Sequence, residues 1–187
     1  MNWMERRRRK ARRRYVAGTF GVIWVVTLVV ASVGMVLPPA HAVGNTRLLP
    51  RSPEMVWRVL TDLDGMPRWR SDVAAVERLP DRGGRVAWRE IGTRGALVFE
   101  LEAAEAPTRL VVRRVGPDGT VAETRRYLLE PADTGTLIAI TDLRSYANPI
   151  ARVLVRLPIR TSSAAVFLSD LAGRFRPAAE IVAGQED

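Results

Sequence analysis

Residues 53–77 read PEMVWRVLTDLDGMPRWRSDVAAVE, and this stretch decides the fold of the chain. Its first half predicts a helix, because apolar residues recur at the i, i+1, i+4, i+7 spacing of one helix face. That face consists of Val56, Trp57, Leu60 and Leu63. Ser52 is the predicted N-cap, and Pro53 has a backbone angle that suits the first helical position. Residues 66–69 (MPRW) predict a tight turn or short second helix, after which a strand begins at Val73.

Strands are predicted on both sides of this helix. An extended stretch, Ala40–Leu49, precedes it. Six further segments, separated by short turns, run over Val73–Leu79, Arg85–Ile91, Ala96–Ala104, Arg109–Val115, Val121–Glu130 and Leu137–Arg144. Turns this short join antiparallel neighbours and leave no room for crossover helices. We therefore expect an antiparallel meander.

The C-terminal part returns to a helical period. Apolar residues on one face run from Ile150 to Leu157 and continue from Phe167 to Phe175. Pro158 lies inside this pattern and breaks or kinks the helix there. We expect one long C-terminal helix with an interruption, followed by a flexible tail at residues 178–187.

The N-terminal part has a different character. The net charge is +9, but residues 6–14 hold eight of the 29 basic residues, and the part from Val43 onward, with 21 arginines and 19 acidic residues, is nearly neutral. Tyr15–Leu37 contains no charged residue and as a helix would be about 34 Å long, enough to cross a ~30 Å hydrocarbon core. By the positive-inside rule the basic head, residues 1–14, stays in the cytoplasm. We therefore predict a single-pass cell-membrane protein whose domain, residues 38–177, is extracytoplasmic.

A secretory signal peptide is the alternative interpretation of the same segment. A basic head, an apolar run and the small-x-small sequence Ala40-His41-Ala42 together resemble a cleavable signal. The apolar run is longer than an ordinary signal core, however, and cleavage after Ala42 would remove part of the predicted first strand. Both interpretations export the domain, and the sequence leaves the choice between them open.

Composition excludes several kinds of site. The chain has no cysteine, which excludes disulfides and thiolate chemistry, and its only histidine is His41, which excludes a multi-histidine metal site. The nearly neutral charge after Val43 disfavours a nucleic-acid surface, because phosphate affinity needs a clustered basic face. We expect no metal, no cofactor and no nucleic-acid partner, and nothing here predicts the oligomeric state.

The element order and several short motifs resemble the START-like helix-grip superfamily, also called SRPBCC or polyketide cyclase/dehydrase. The motifs, in family order, are the P-x-x-V-W-x-x-L-T-D phrase at residues 53–62, x-P-x-W at 66–69, V-x-x-V-E at 73–77, the hairpin at 127–136 and Y-x-N-P at 146–149. The last motif resembles the one that opens the final helix in membrane-tethered members. The likeness covers about residues 41–177. Arg125 departs from the pattern, because an apolar or aromatic residue is expected there.

The resemblance implies an α+β helix-grip fold, in which a curved antiparallel sheet of about seven strands wraps around the C-terminal helix and leaves an apolar chamber. Strand alternation places Arg125, Tyr127 and Leu129 on one face, although a slip of one residue would reverse it. The residues predicted to contact a ligand are Trp69, Trp88, Phe99, Arg125, Tyr127, Ile138, Ile140 and Leu154. A charge at Arg125 or Asp142 would be costly on this face unless paired or hydrated. Three interpretations stay open, namely an ion pair between the two, exposure of both at the rim, and a polar handle for a ligand headgroup.

Two functions from different classes are compatible with this pattern. The first is a membrane-tethered binding module that holds a hydrophobic small molecule or lipid in its cavity. The second is an enzyme of the cyclase or dehydrase type that uses cavity carboxylates, among them Glu90 and Glu100, or Tyr127. The absence of a second histidine weakens the enzyme hypothesis. A surface-acting interaction domain of the envelope is a third possibility.

Overall fold

The computed structural model describes residues 22–156 and 163–175, which fall into two compact units. The larger unit comprises Ala42–Ser145 together with the described residues from 163 onward, and the smaller unit comprises the described residues up to His41 together with those from Tyr146 to 156. The two units are described separately below.

A seven-stranded sheet forms the frame of the larger unit. Its strands are β1 (Ala40–Leu49), β2 (Val73–Arg82), β3 (Arg85–Gly92), β4 (Gly95–Glu105), β5 (Arg109–Val115), β6 (Val121–Ala132) and β7 (Gly135–Ser145). Their order in the sheet is β1-β7-β6-β5-β4-β3-β2, and every pair from β2 to β7 is antiparallel. The predicted antiparallel meander is confirmed.

Two helices of this unit pack on one face of the sheet. They are α2 (Pro53–Thr61) and α4 (Ser163–Arg174), and a short 3-10 helix, Met66–Arg68, follows α2. Their buried side chains, such as Leu60 of α2 and Leu171 of α4, join one core with Ile138 and Ile140 of the sheet. Apolar side chains at helical spacing on one element and at alternate positions on the other produce this core.

Ser52 differs in detail from the predicted cap. It occupies the N-cap position of α2 with an extended backbone, but its side chain makes no capping hydrogen bond. Its carbonyl oxygen instead accepts from the amides of Met55 and Val56, both at 3.1 Å. Position and backbone conformation therefore define the start of this helix.

The structure describes the predicted C-terminal helix in two parts. They are α3 (Pro149–Leu154) in the smaller unit and α4 in the larger unit, and residues 157–162 between them lie outside the described residues. The interruption predicted at Pro158 falls on those residues. The side chain of Asn148 caps α3 by accepting from the amide of Ile150 at 2.8 Å.

In the smaller unit, α3 packs against the end of a helix that the structure describes over residues 22–36, here called α1. The Arg152 guanidinium donates to the carbonyl oxygens of Gly34 and Leu37, each at 3.4 Å. A cation near the C-terminal carbonyls of a helix stabilises it.

Among the described residues, no helix has both the length and the hydropathy needed to span a membrane. The predicted span, Tyr15–Leu37, begins before the first described residue, and the predicted basic head at residues 1–14 lies entirely outside the described residues. The predicted tail at residues 178–187 likewise lies outside them.

Candidate ligand-binding cavity

The larger unit contains a cavity of about 190 Å³ between its helices and its sheet. Strands β3 to β6, helix α2 and the 3-10 helix all contribute side chains to its walls. The apolar lining residues are Leu60, Leu63, Met66, Val86, Trp88, Phe99, Leu101, Ala104, Leu110 and Val112. Clefts with mostly apolar walls and a few placed polar groups are typical of sites for small molecules.

An aromatic pair forms one wall of the cavity. The rings of Trp88 and Phe99 face each other on the neighbouring strands β3 and β4, with centroids 5.8 Å apart and planes inclined by 19°. The indole N–H of Trp88 donates to Glu90 Oε1 at 3.1 Å. The apolar face of the indole is thus held toward the cavity while its polar edge is satisfied.

A first charged cluster lies around Arg70. Its Nη1 donates to Glu90 Oε2 at 2.8 Å, and its other nitrogens donate to both carboxylate oxygens of Asp72 at 3.1 and 3.0 Å. Arg94 also donates to Asp72. Arg70 and Glu90 are both buried, and their mutual pairing offsets the cost of removing each charge from water.

A second charged cluster lies around Arg125. Its Nε and Nη2 donate to the two oxygens of Asp142 at 2.5 and 2.8 Å, so of the three interpretations the structure shows the ion pair. Ser163 of α4 accepts from Arg125 Nη2 at 2.8 Å and donates to Asp142 at 3.1 Å. Glu123 adjoins the pair and accepts from Arg114 at 3.2 Å and from Arg144 at 2.9 Å. This cluster ties helix α4 to the charged end of the cavity.

The phenol of Tyr127 is buried in the cavity lining. Burial raises its pKa above the usual value, because the phenolate would lose its hydration, although Arg125 and Arg70 act in the opposite direction. The group therefore stays protonated at neutral pH and can donate a hydrogen bond. For Arg125, burial favours the neutral form, but Tyr127, Asp142 and Glu123 outweigh it, and the pKa lies above its usual value.

Four of the eight side chains predicted to contact a ligand line the cavity together. They are Trp88, Phe99, Arg125 and Tyr127. Strand alternation placed Arg125 and Tyr127 on the same side, and the register observed in β6 agrees with it. Their contact with a ligand remains a prediction.

The other four predicted residues occupy different places. Trp69 packs edge-on against Phe167 of α4, with centroids 5.2 Å apart. Ile138 and Ile140 are fully buried in the core beside the helices. Leu154 lies on α3 in the smaller unit, where its side chain is 57% exposed. None of these four side chains is among those that line the cavity.

Six charged side chains that line the cavity were not among the predicted contacts. They are Arg70, Arg78, Glu90, Arg94, Arg114 and Glu123. Glu123 lies two residues before Arg125 on the same strand, so the two side chains lie on the same face. Alternation alone could therefore have identified Glu123. Glu90 is buried rather than part of a solvated sheet face, whereas Glu100 pairs with Arg113 at 2.9 Å and does not line the cavity. No periodic signal marks Arg70, which lies in the loop after the 3-10 helix.

Comparison with known families gives one match over most of the chain. The model of the family described as polyketide cyclase / dehydrase and lipid transport matches residues 40–175. No curated protein matches the chain.

Solved structures with the same fold come from several sources. The Zhui aromatase/cyclase from Streptomyces sp. R1128 superposes with a TM-score of 0.55 at 15% identity, covering 75% of this chain and 98% of that one. A START superfamily protein from Mycobacterium smegmatis gives a TM-score of 0.53 at 16% identity, covering 72% and 97% of the two chains. The di-domain aromatase/cyclase StfQ of the steffimycin biosynthetic pathway gives 0.55 at 14% identity, covering 78% and 52%. At these identities the likeness shows the fold alone.

Proposed function

The chain belongs to the polyketide cyclase / dehydrase and lipid transport family, and from this premise we propose that it is a binding module whose cavity holds a small hydrophobic molecule or the apolar part of a lipid. The observation that carries this proposal is the cavity itself, about 190 Å³ of space with an aromatic and aliphatic lining inside a well-packed domain. Protein interiors ordinarily leave few voids larger than a water molecule, because voids forfeit dispersion contacts. A ligand would restore those contacts.

The charged lining supports binding more than catalysis. Glu90 is held by Arg70 and by the Trp88 indole, and Glu123 is held by Arg114 and Arg144. Carboxylates whose two oxygens both accept from cationic or indole N–H groups are held in one orientation, which suits positioning a ligand. Their pairing also keeps the polar end of the cavity from collapsing onto itself.

The experiment that tests the proposal is solvent extraction of the purified full-length chain followed by mass spectrometry. Ala104 lines the cavity and is exposed, so Ala104→Trp adds a large side chain where there is room to insert it. Ala96 is an exposed residue of the same strand that does not line the cavity, which makes Ala96→Trp a matched control. We expect an apolar compound from the wild type and from Ala96→Trp and a reduced yield from Ala104→Trp. Equal yields from all three proteins would contradict the proposal.

We also propose that residues 15–37 anchor the domain, residues 38–177, at the outer face of the cell membrane. Two features support this. The segment contains no charged residue and follows a basic head. The described part of α1 exposes large apolar side chains around its circumference, among them Trp24, Val29, Met35 and Val36. Such a surface is unfavourable in water and favourable in lipid.

A second candidate function is catalysis of the cyclase or dehydrase type. The observation that favours it is Tyr127, a protonated phenol beside Arg125 in the cavity, which is a plausible hydrogen-bond donor to a ligand carbonyl. Tyr127→Phe separates the two functions. Binding without Tyr127-dependent turnover of a polyketone supports the binding module, whereas turnover lost in Tyr127→Phe with ligand affinity retained supports the enzyme.

A further inference from the structure

The charged lining residues of β5 and β6 are gathered at one end of the cavity, here called the charged end. On β5 the lining residues run, in order, Arg114, Val112 and Leu110. Their cross-strand partners on β6 are, in the same order, Glu123, Arg125 and Tyr127. Both strands therefore lead from a charged end to an apolar end, and this wall of the cavity is amphipathic along its length.

The charged end presents guanidinium groups to the cavity. Arg114 and Arg125 both line it, and their carboxylate partners are Glu123, which lines the cavity, and Asp142, which does not. Among the described lining residues of β5 and β6, two guanidinium groups therefore face the space with one carboxylate. A charge that is partly removed from water favours a counter-ion.

Arg114 is the guanidinium with donors to spare. Its Nε donates to Glu123 at 3.2 Å, and within the described residues its Nη1 and Nη2 make no hydrogen bond. Its side chain lines the cavity and is 30% exposed. Arg125, in contrast, already donates to Asp142 and Ser163. Two unused NH2 groups on one planar fork match the geometry of a carboxylate.

The size of the cavity limits the apolar part of a ligand. The space of about 190 Å³ is somewhat larger than a cavity of ~150 Å³ that holds benzene and smaller than the ~300 Å³ at which sites for drug-sized molecules begin. The stacked rings of Trp88 and Phe99 offer a flat apolar wall. A short alkyl chain or a single aromatic ring fits these dimensions, and a whole phospholipid does not.

We propose that the cavity takes a small amphiphile with an anionic, carboxylate-type headgroup, which Arg114 binds at the charged end while the apolar tail lies against Trp88, Phe99 and Leu110. The inference rests on the proposed binding function and adds the class of ligand. On this proposal Arg114 is a specificity-determining residue, because its guanidinium selects the charge of the headgroup. The apolar walls bind the tail whatever the headgroup is.

A headgroup series on the full-length chain tests this proposal. Octanoate, 1-octanol and octylammonium share one tail and differ in headgroup charge, and quenching of tryptophan fluorescence reports their binding. We expect octanoate to bind roughly tenfold more tightly than 1-octanol, since a hydrogen bond to a charged group contributes about 1.5–3 kcal/mol. Octylammonium should bind more weakly than 1-octanol. Acetate and inorganic phosphate, which lack the tail, should not bind in the same concentration range.

Variants assign the effect to Arg114. In Arg114→Gln the preference for octanoate over 1-octanol should disappear while 1-octanol affinity stays the same, and Arg114→Lys should retain part of the preference. Glu123 keeps Arg144 as a partner in these variants, which favours folding. Arg113 is the matched control, because it lies next along the same strand, pairs with Glu100 and does not line the cavity. Arg113→Gln should behave as the wild type.

The outcomes are distinguishable. Equal binding of octanoate and 1-octanol by the wild type would overturn the proposed ligand class and leave the binding function intact. Failure of every amphiphile to bind would overturn both. Phosphate binding as tight as that of octanoate would identify a free-anion site and contradict the amphiphile. If Arg114→Gln fails to fold by circular dichroism, the headgroup series on the wild type and on Arg114→Lys decides the matter.

Discussion

Arg125 and Asp142 show how a charged residue can be placed in a cavity wall. Asp142 is buried, and its two carboxylate oxygens accept from one guanidinium group. The attraction within such a pair offsets the cost of desolvation but exceeds it by little. Removing one partner, however, leaves the other charge buried without compensation.

Asp142→Asn should therefore destabilise the domain by about 3–5 kcal/mol, because Arg125 would stay charged and buried. The free energy of unfolding in urea measures this. Glu77→Gln is the control, since Glu77 pairs with Arg89 at 2.9 Å on an exposed part of the sheet and such a pair contributes about 0–1 kcal/mol. If Asp142→Asn lowers the free energy of unfolding no more than Glu77→Gln does, the charge of Asp142 does not contribute to the stability of the buried pair.

At the scale of elements, the end of β3 positions the loop that carries Arg70. Gly92 is the last residue of β3, and a Cβ placed there would overlap the carbonyl oxygen of Asp72. That close approach brings Arg70 within 2.8 Å of Glu90 on the same strand. The hydroxyl and amide of Ser71, next in the loop, donate to Asp170 of α4 at 2.7 and 2.8 Å. One small residue thus permits contacts between three elements.

Gly92→Ala should destabilise the domain by about 1–3 kcal/mol, the usual cost of forcing extra atoms into a packed site. Gly173→Ala is the matched substitution, because Gly173 lies within α4 and a Cβ there meets nothing within 4 Å. It should raise stability by about 0.4–1 kcal/mol, since alanine has less backbone freedom to lose on folding. Thermal unfolding of both variants beside the wild type measures the difference. A stable Gly92→Ala would contradict the packing described here.

The elements were largely predictable from the sequence, and the cavity was predictable only in part. Strands β1 and β5 have the predicted limits, and the ends of β3, β4, β6 and β7 lie within two residues of them, whereas β2 continues three residues further, to Arg82. Alternation identified Arg125 and Tyr127 because side chains two residues apart on a strand lie on the same face of the sheet. It could not identify Arg70, whose place in the cavity depends on contacts between elements distant in the sequence. Leu154 was misplaced because α3, which carries it, belongs to a different unit from the cavity.

At the scale of the whole molecule, the proposed anchor makes a prediction about location. The full-length chain should sediment with membranes and resist extraction with carbonate, because an apolar helix leaves lipid only at a large cost in free energy. A variant with Val25, Val29 and Val33 each changed to Asp should be released into the supernatant. Protease added outside intact cells should reach the domain. A wild-type chain found in the carbonate supernatant, or a domain protected from outside, would contradict the anchor.

The central claim is that the larger unit encloses a cavity that an apolar ligand fills. Differential scanning calorimetry of the full-length chain with and without 1-octanol tests this claim most directly, because a ligand that binds only the folded state raises the unfolding temperature by mass action. At roughly one hundred times its dissociation constant the ligand should add about 2.7 kcal/mol of stability. We predict a rise for the wild type and for Ala96→Trp and a smaller rise or none for Ala104→Trp. The same unfolding temperature for the wild type with and without 1-octanol would contradict the account.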